Sequence, residues 1–225
     1  MKLAVISDLH LGVGGPEDEF GHDDFEFLQF LAFLEANFEK IILLGDIWET
    51  LTAAARAQVE EIKRAQAKHR EIHKRFQKQQ YTYVFGNHDL VAKKHSGALE
   101  QFTLEADGVR ILFAHGHQSD LWCSKAKCFS EAAMRVGAWL TRRGMKSVYR
   151  ALAAIEQQRD RTNHYIKRWA WNQDFDIVVT GHTHISERTE KGHQLFLNSG
   201  HCSYGQFHFL ALDTKQDVYS VHAGF

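Results

Sequence analysis

Short aliphatic runs recur along the chain, and several of them end in a polar cluster. Ile41 to Leu44 reads as a strand buried on both faces and Lys2 to Ser7 as a buried strand, and Tyr81 to Phe85, Val109 to Ala114 and Asp176 to Thr180 read as further strands. Between the first two, Leu11 to His22 holds four glycines and the only proline, so it is a loop. Asp23 and Asp24 then open a helix whose apolar face is Phe25, Leu28, Leu31 and Leu34, widened by Phe27, Phe30, Phe33 and Phe38. Strand, helix and strand make a β-α-β unit with a right-handed crossover. Thr50 to Lys78 lacks proline and glycine and is the longest helical candidate. After the fifth run, Ile185 to Thr189, Gln194 to Leu197, Gln206 to Asp213 and Asp217 to His222 read as antiparallel strands that extend a second sheet.

The polar clusters carry the chemistry. The five runs end in Asp8-Leu9-His10, Gly45-Asp46, Gly86-Asn87-His88-Asp89, His115-Gly116-His117 and Gly181-His182-Thr183-His184. Open α/β sheets place their ligands at the carboxyl ends of strands, so these residues are candidates to converge. Oxygen donors mixed with imidazoles suit Mn²⁺, Fe or Zn²⁺ better than Ca²⁺. One carboxylate, Asp46, is placed to bridge two cations. His88 is the candidate proton donor, with Asp89 expected to fix its tautomer. His69 and His73 are four residues apart, but no carboxylate or cysteine joins them at ligand spacing, so they read as solvated helix-face histidines.

Composition adds bounds. The chain has 225 residues, 44% of them hydrophobic, enough for one well-filled core, and reads as a single domain spanning 1–225. Its formal charge of −1 is unevenly spread: Ala53 to Gln80 and Ser119 to Trp171 together carry +12, leaving −13 elsewhere. That separation fits an anionic substrate approaching a basic wall beside an acidic pocket, or else solvated helix faces. Three cysteines without a CxxC pair (Cys123, Cys128 and Cys202) fit a reducing compartment. The first strand begins at the terminus and no apolar run reaches membrane-spanning length, so a cytoplasmic protein is expected. The stretch at about 119–171 is too long for a simple connection and holds four of the five tryptophans, interleaved with arginines and lysines. It reads as a helical insert with an apolar and a cationic side, a lid suited to an amphiphile or a peripheral contact with the inner face of a membrane. Trp122, Arg142 and Arg143 of the insert, and Asn198 of the Asn198-Ser199-Gly200 loop, are the candidate substrate contacts.

Taken together, the five clusters resemble the calcineurin-like metallophosphoesterase superfamily, in whose order they stand from Met1 to about Gly200. The resemblance implies an α/β fold, a four-layer α/β/β/α sandwich. It implies a dinuclear centre in which Asp8, His10, Asp46 and His184 hold one metal while Asp46, Asn87, His115 and His182 hold the other, with Mn²⁺ ahead of Fe and Zn²⁺. A metal-bridging hydroxide would then attack a phosphodiester or pyrophosphate bond in line. Glu49 matches none of these ligand positions and is expected to orient a ligand from behind, while Trp48 is expected to pack between sheet and helix. The Gly-Pro-Glu-Asp-Glu-Phe loop, the Leu-Leu-Gly-Asp-Ile-Trp-Glu block and the insert are similar to the UDP-2,3-diacylglucosamine pyrophosphatase group of lipid A synthesis. This implies a nucleotide-lipid substrate, although that group carries Arg where this chain has His88. The alternatives are a nuclease or cyclic-nucleotide phosphodiesterase, with the basic Ala53 to Gln80 stretch holding a phosphate backbone, and a non-catalytic scaffold of the retromer type.

Overall fold

A computed structural model of the chain describes residues 1–15, 18–53, 55–119 and 156–225. Two five-stranded sheets form its centre. In the first sheet β1 (Lys2–Ile6), β2 (Lys40–Leu44) and β3 (Tyr81–Val84) run parallel, as the aliphatic runs predict. In the second, β4 (Gln101–Ala106), β5 (Val109–Ala114), β6 (Ile177–Thr180), β7 (Ser186–Lys191) and β8 (Gln194–Ser199) lie in the order β4-β5-β6-β8-β7.

The chain's last hairpin, β9 (His208–Asp213) and β10 (Val218–Ala223), does not extend the second sheet as expected. It joins the first sheet, with β9 antiparallel to β1. β2 occupies only one edge of β1, and β9 satisfies the backbone groups of the other.

The alternation of strand residues accounts for the four layers. Leu3, Val5, Ile42 and Leu44 of the first sheet meet Ile111, Phe113, Val179 and Leu197 of the second in a core between the sheets. Ala4, Ile6, Ile41 and Leu43 point the other way, under α1 (Asp24–Asn37). Leu112, Val178 and Phe196 face outward from the second sheet, under Ile166 and Ala170 of α5 (Glu156–Ala170). The observed α/β/β/α sandwich is the expected fold class.

Other local readings need correction. The side chain of Asp23 caps α1 by accepting from the amides of Phe25 and Glu26. The buried face, however, is Phe27, Phe30, Leu31 and Leu34, and Phe25 is 71% exposed. The long helix expected over Thr50 to Lys78 is two helices, α2 (Gln58–Lys68) and α3 (Arg70–Phe76), broken at His69 with φ −97° and ψ 47°. His69 is buried rather than solvated: its Nδ1 lies 2.7 Å from Asp24 Oδ1 and its Nε2 3.1 Å from the carbonyl of Gly12. Much of the positive charge of this segment lies in ion pairs, with Lys63, Arg64 and Lys74 on glutamates three residues earlier and Arg75 and Lys78 sharing Glu35.

Strand β4, not expected from the pattern, pairs with β5 across Asp107-Gly108, both at positive φ as a two-residue hairpin requires. A short α4 (Ala92–His95) follows β3. No described helix is long and apolar enough to cross a membrane. The stretch 120–155, including Trp122, Cys123, Cys128, Arg142 and Arg143, lies outside the described residues, so the lid expectation rests on sequence.

Candidate metal centre

All five polar clusters lie at strand ends, three on the first sheet and two on the second. The loop after β1 continues to pair with the loop after β2: Asp8, His10 and Leu11 donate backbone N–H groups to the carbonyls of Gly45, Asp46 and Ile47. Gly181 likewise donates to His115 across the second sheet. These rungs carry the ligand-bearing turns beyond the regular strands.

The convergence is crowded enough to demand special backbone. Asp8, His10, Asp46, His182 and His184 all have positive φ, between 51° and 72°, a region that β-branched residues avoid and that Asp, Asn and His tolerate best. A Cβ on Gly45 would fall 2.3 Å from His115 Nδ1, and one on Gly86 would fall 2.1 Å from Asp46 Oδ1. Only glycine lets the opposing ligand approach so closely at these two positions.

Two groups of side chains result. Asp8, His10 and His184 present ligand atoms within 4.8 Å of one another, and so do Asp46, His115 and His182. In the first, His184 Nε2 lies 3.3 Å from Asp8 Oδ1 and 3.4 Å from His10 Nε2. In the second, His115 Nε2 lies 3.1 Å from Asp46 Oδ2 and, across to the first, 4.0 Å from Asp8 Oδ1.

The orientation of each donor has a cause. Asp8 Oδ2 accepts from Ser7 Oγ and from the amide of His182, leaving Oδ1 to face the cluster. Asp46 Oδ1 accepts from the amide of His88 at 2.8 Å. His115 Nδ1 donates to the carbonyl of Leu44 at 2.8 Å, which fixes the tautomer with Nε2 as the free donor atom.

The donor set fits divalent cations. Asp8 Oδ1, Asn87 Oδ1 and His115 Nε2 are among the few buried side-chain atoms with no hydrogen-bond partner, and these three lie together at the strand ends. Cations held at the two groups, one beside Asp8 and one beside Asn87 and His115, would supply what the protein does not. The mixture of carboxylate, amide oxygen and imidazole suits first-row transition metals.

Glu49 is the residue whose role the tertiary structure reveals most clearly. It is buried, its Oε1 accepts from the amides of Leu51 and Thr52, and its Oε2 takes both His10 Nδ1 at 3.1 Å and His88 Nδ1 at 2.6 Å. One carboxylate oxygen thus orients a candidate ligand and the candidate proton donor together. Burial works against the charged forms of all three groups. The hydrogen bonds and mutual attraction overcome it, holding His10 up at about 10, His88 up at about 9 and Glu49 down at about 2. His115 is raised to about 9 against burial by the Asp46 and Asp8 carboxylates, and those carboxylates are held below their ordinary range by facing imidazoles.

Asp89 does not touch His88, contrary to the expectation that it fixes that tautomer. The chain turns after β3 so that the Asp89 carboxylate points back under the ligand turns, accepting from the amides of Gly86 and Ile47 and from Tyr83 Oη. Burial and the nearby Asp46 charge raise its pKa. It braces the two turns that carry Asp46 and Asn87.

Asn198 is also displaced from its expected place at a substrate surface. It is fully buried, donating to the carbonyl of Gly181 and to Thr183 Oγ1 while accepting from the amide of Gly200. Thr183 reaches Asn163 on α5 at 3.3 Å, and Asn163 in turn reaches Glu187. Asn163, Ser7 and Tyr83 were missed in the sequence because none belongs to a strand-end cluster as a ligand. Trp48, 2% exposed, packs against His73 and Phe76 of α3.

A two-sheet sandwich with carboxylate, amide and imidazole donors converging from its strand ends defines a metal-dependent phosphoesterase. The chain belongs to the calcineurin-like phosphoesterase superfamily, whose domain model matches residues 1–217. That family uses two divalent metal ions, and the two side-chain groups are candidates to hold them. Among solved structures, an archaeal phosphodiesterase is similar over 100% of both chains, at 16% identity and TM-score 0.51. Vacuolar protein sorting 29 from Cryptosporidium parvum is similar over 99% of this chain and 96% of its own, at 17% identity and TM-score 0.50. The Chaetomium thermophilum Vps29 is similar over 100% of this chain and 92% of its own, at 14% identity and TM-score 0.50. At these identities the likenesses establish the fold. No curated protein sequence matches significantly.

Proposed function

We propose that the chain hydrolyses a phosphodiester or pyrophosphate bond, with Asp8, His10, Asp46, Asn87, His115, His182 and His184 holding two divalent cations. The observation that carries this reading is the pair of side-chain groups around Asp8 and Asp46, each within 4.8 Å, with buried donor atoms that make no hydrogen bond. Bound there, two divalent cations supply Lewis acidity for the phosphoryl oxygens and a water acidic enough to ionise near neutral pH.

The protein's own contribution is positional and electrostatic. Glu49 holds His88 by Nδ1, leaving Nε2 to donate toward a phosphoryl or leaving-group oxygen. The Glu49 carboxylate favours the protonated form of His88, and a protonated His88 stabilises negative charge developing beside it. Asp89 keeps the Asp46 and Asn87 turns in register without taking part in proton transfer.

The substrate we favour is a UDP-diacylglucosamine-like nucleotide-lipid. Support for it comes from the Leu-Leu-Gly-Asp-Ile-Trp-Glu block and the aromatic, basic insert. The filled ligand set weighs against a purely scaffolding role.

The test is to load the protein with Mn²⁺ and compare a phosphomonoester, bis(p-nitrophenyl) phosphate, UDP-2,3-diacylglucosamine and single-stranded DNA. Selective turnover of the nucleotide-lipid is expected. Cleavage of DNA alone would replace that reading with a nuclease. His88→Ala should slow the favoured reaction about a hundredfold or more, and wild-type turnover in that variant would remove His88 from the mechanism.

A further inference from the structure

A cleft of about 260 Å³ opens beside Asn87, between the turn after β2 and the segment that leads into α4. Its walls are Leu51, Leu90 and Val91, with Thr50 and Gln58 on one side and Lys93 and Lys94 on the other. Two hydrogen bonds hold the segments around the cleft: the Thr50 Oγ1 hydroxyl donates to the carbonyl of His88, and the amide of Ala92 donates to the carbonyl of Asp89. It needs no rearrangement to exist.

Its size and lining restrict what can occupy it. Whole-ligand pockets usually run from about 300 to 1,000 Å³, so this one accommodates a part of a substrate rather than all of it. No acidic residue is among those lining it. Lys93 Nζ is shared with Glu100 at 3.3 Å, but Lys94 has no acidic partner among the described residues. The cleft therefore combines a partly apolar wall, two neutral polar side chains and an available cation. It meets the metal centre at Asn87, a candidate ligand, so a group bound in it is continuous with the phosphorus under attack.

Resting on the phosphoesterase reading above, we propose that this cleft is the leaving-group subsite and that it takes a group ending in a second phosphate, such as a sugar phosphate. The attacking water forms the new P–O bond while the bond to the departing oxygen breaks. In a pyrophosphate the departing group is itself a phosphate monoester, whose negative charge Lys94, assisted by Lys93, receives. A simple aryl diester offers no second anion and gains nothing from these lysines. The cleft thus selects anhydrides over simple diesters at a centre able to cleave both.

The experiment compares the Mn²⁺-loaded wild type with Lys94→Ala and Lys93→Ala/Lys94→Ala on UDP-glucose and on bis(p-nitrophenyl) phosphate. It also titrates glucose 1-phosphate calorimetrically into EDTA-treated protein. For a rim charge, KM for UDP-glucose should rise about threefold in the single variant and about tenfold in the double, most at low salt. Turnover of bis(p-nitrophenyl) phosphate should be unchanged, and glucose 1-phosphate binding should weaken in parallel with the UDP-glucose effect. Equal effects on both substrates, no effect on either, or no saturable glucose 1-phosphate binding to the wild type would overturn the subsite. If neither compound is hydrolysed, turnover of UDP-2,3-diacylglucosamine decides the phosphoesterase reading separately, and glucose 1-phosphate binding to the wild type and the double variant still decides the subsite.

Discussion

The two halves of the metal centre are built from different chemistry. Residues after β1, β2 and β3 are held by buried carboxylates: Glu49 orients His10 and His88, and Asp89 ties the Asp46 turn to Gly86. Residues after β5 and β6 are braced mainly by neutral groups, apart from the His182 amide that Asp8 accepts: the Leu44 carbonyl fixes His115, and Asn198 with Thr183 shapes the Gly181 to His184 turn. A carboxylate brace changes the charge state of what it touches, whereas an amide brace sets geometry alone. Removing a brace of the first half should therefore change charge and pH response, and removing a neutral brace of the second should change shape alone.

The largest effect should come from the charge that the first half contributes to the metals. Asp46→Asn is expected to lower Mn²⁺-dependent diester hydrolysis by more than about a hundredfold, with the fold retained by circular dichroism. Near-normal turnover would break the assignment of Asp46 to the centre. Gly86→Ala attacks the same half through space, since the new Cβ would lie 2.1 Å from Asp46 Oδ1 and 2.5 Å from its amide nitrogen. Overpacking of that kind costs about 1–3 kcal/mol, read as a lower Tm together with weakened Mn²⁺ binding.

Glu49→Gln keeps the shape and removes the charge, so it separates the two halves most sharply. Mn²⁺ affinity should fall about 10- to 100-fold, and the metal-free protein should lose part of its pH dependence. Glu49 is held down at about 2 from an ordinary 4.5, so its contribution to stability is present above pH 4.5 and is lost as pH falls toward 2. His88 is held up at about 9 from an ordinary 6.5, so its contribution is present below pH 6.5 and is lost as pH rises through 9. Metal-free wild type should accordingly show its highest Tm between these limits and a decline above pH 6.5 that Glu49→Gln flattens. A decline of equal size in the variant would show that the carboxylate does not set it.

The smallest effect belongs to the neutral half. Asn163→Ala removes the group on α5 that meets Thr183, and Mn²⁺ affinity should drop by about tenfold or less, with no change in the slope of Tm against pH. A change in that slope would erase the contrast between charged and neutral bracing.

Much of this molecule is legible in its sequence, for identifiable reasons. Parallel strands buried on both faces must be continuous apolar runs, so β1, β2, β5 and β6 stand out, β3 is marked by its aromatic and β-branched residues, and the carboxyl ends of all five carry the clustered Asp, Asn and His. β4 was less visible because its residues alternate between exposed and half-buried, although Asp107-Gly108 is a hairpin signal beside it. The break at His69 has no glycine or proline to announce it. It coincides with side-chain bonds to Asp24 and Gly12, residues more than forty positions away.

The residue types and their order along the chain determined the fold class, the candidate ligands and the reaction class, because metal donors and strand ends are local features. What only the tertiary structure decided is which carboxylate serves which histidine. Asp89 adjoins His88 in sequence, yet Glu49, thirty-nine positions away, bonds it. Adjacent side chains leave a turn in different directions, and the positive-φ turns after β1 and β2 bring His10 and Glu49 together from separate strands. Hydrogen bonding depends on distance in space, which sequence spacing at a turn does not specify.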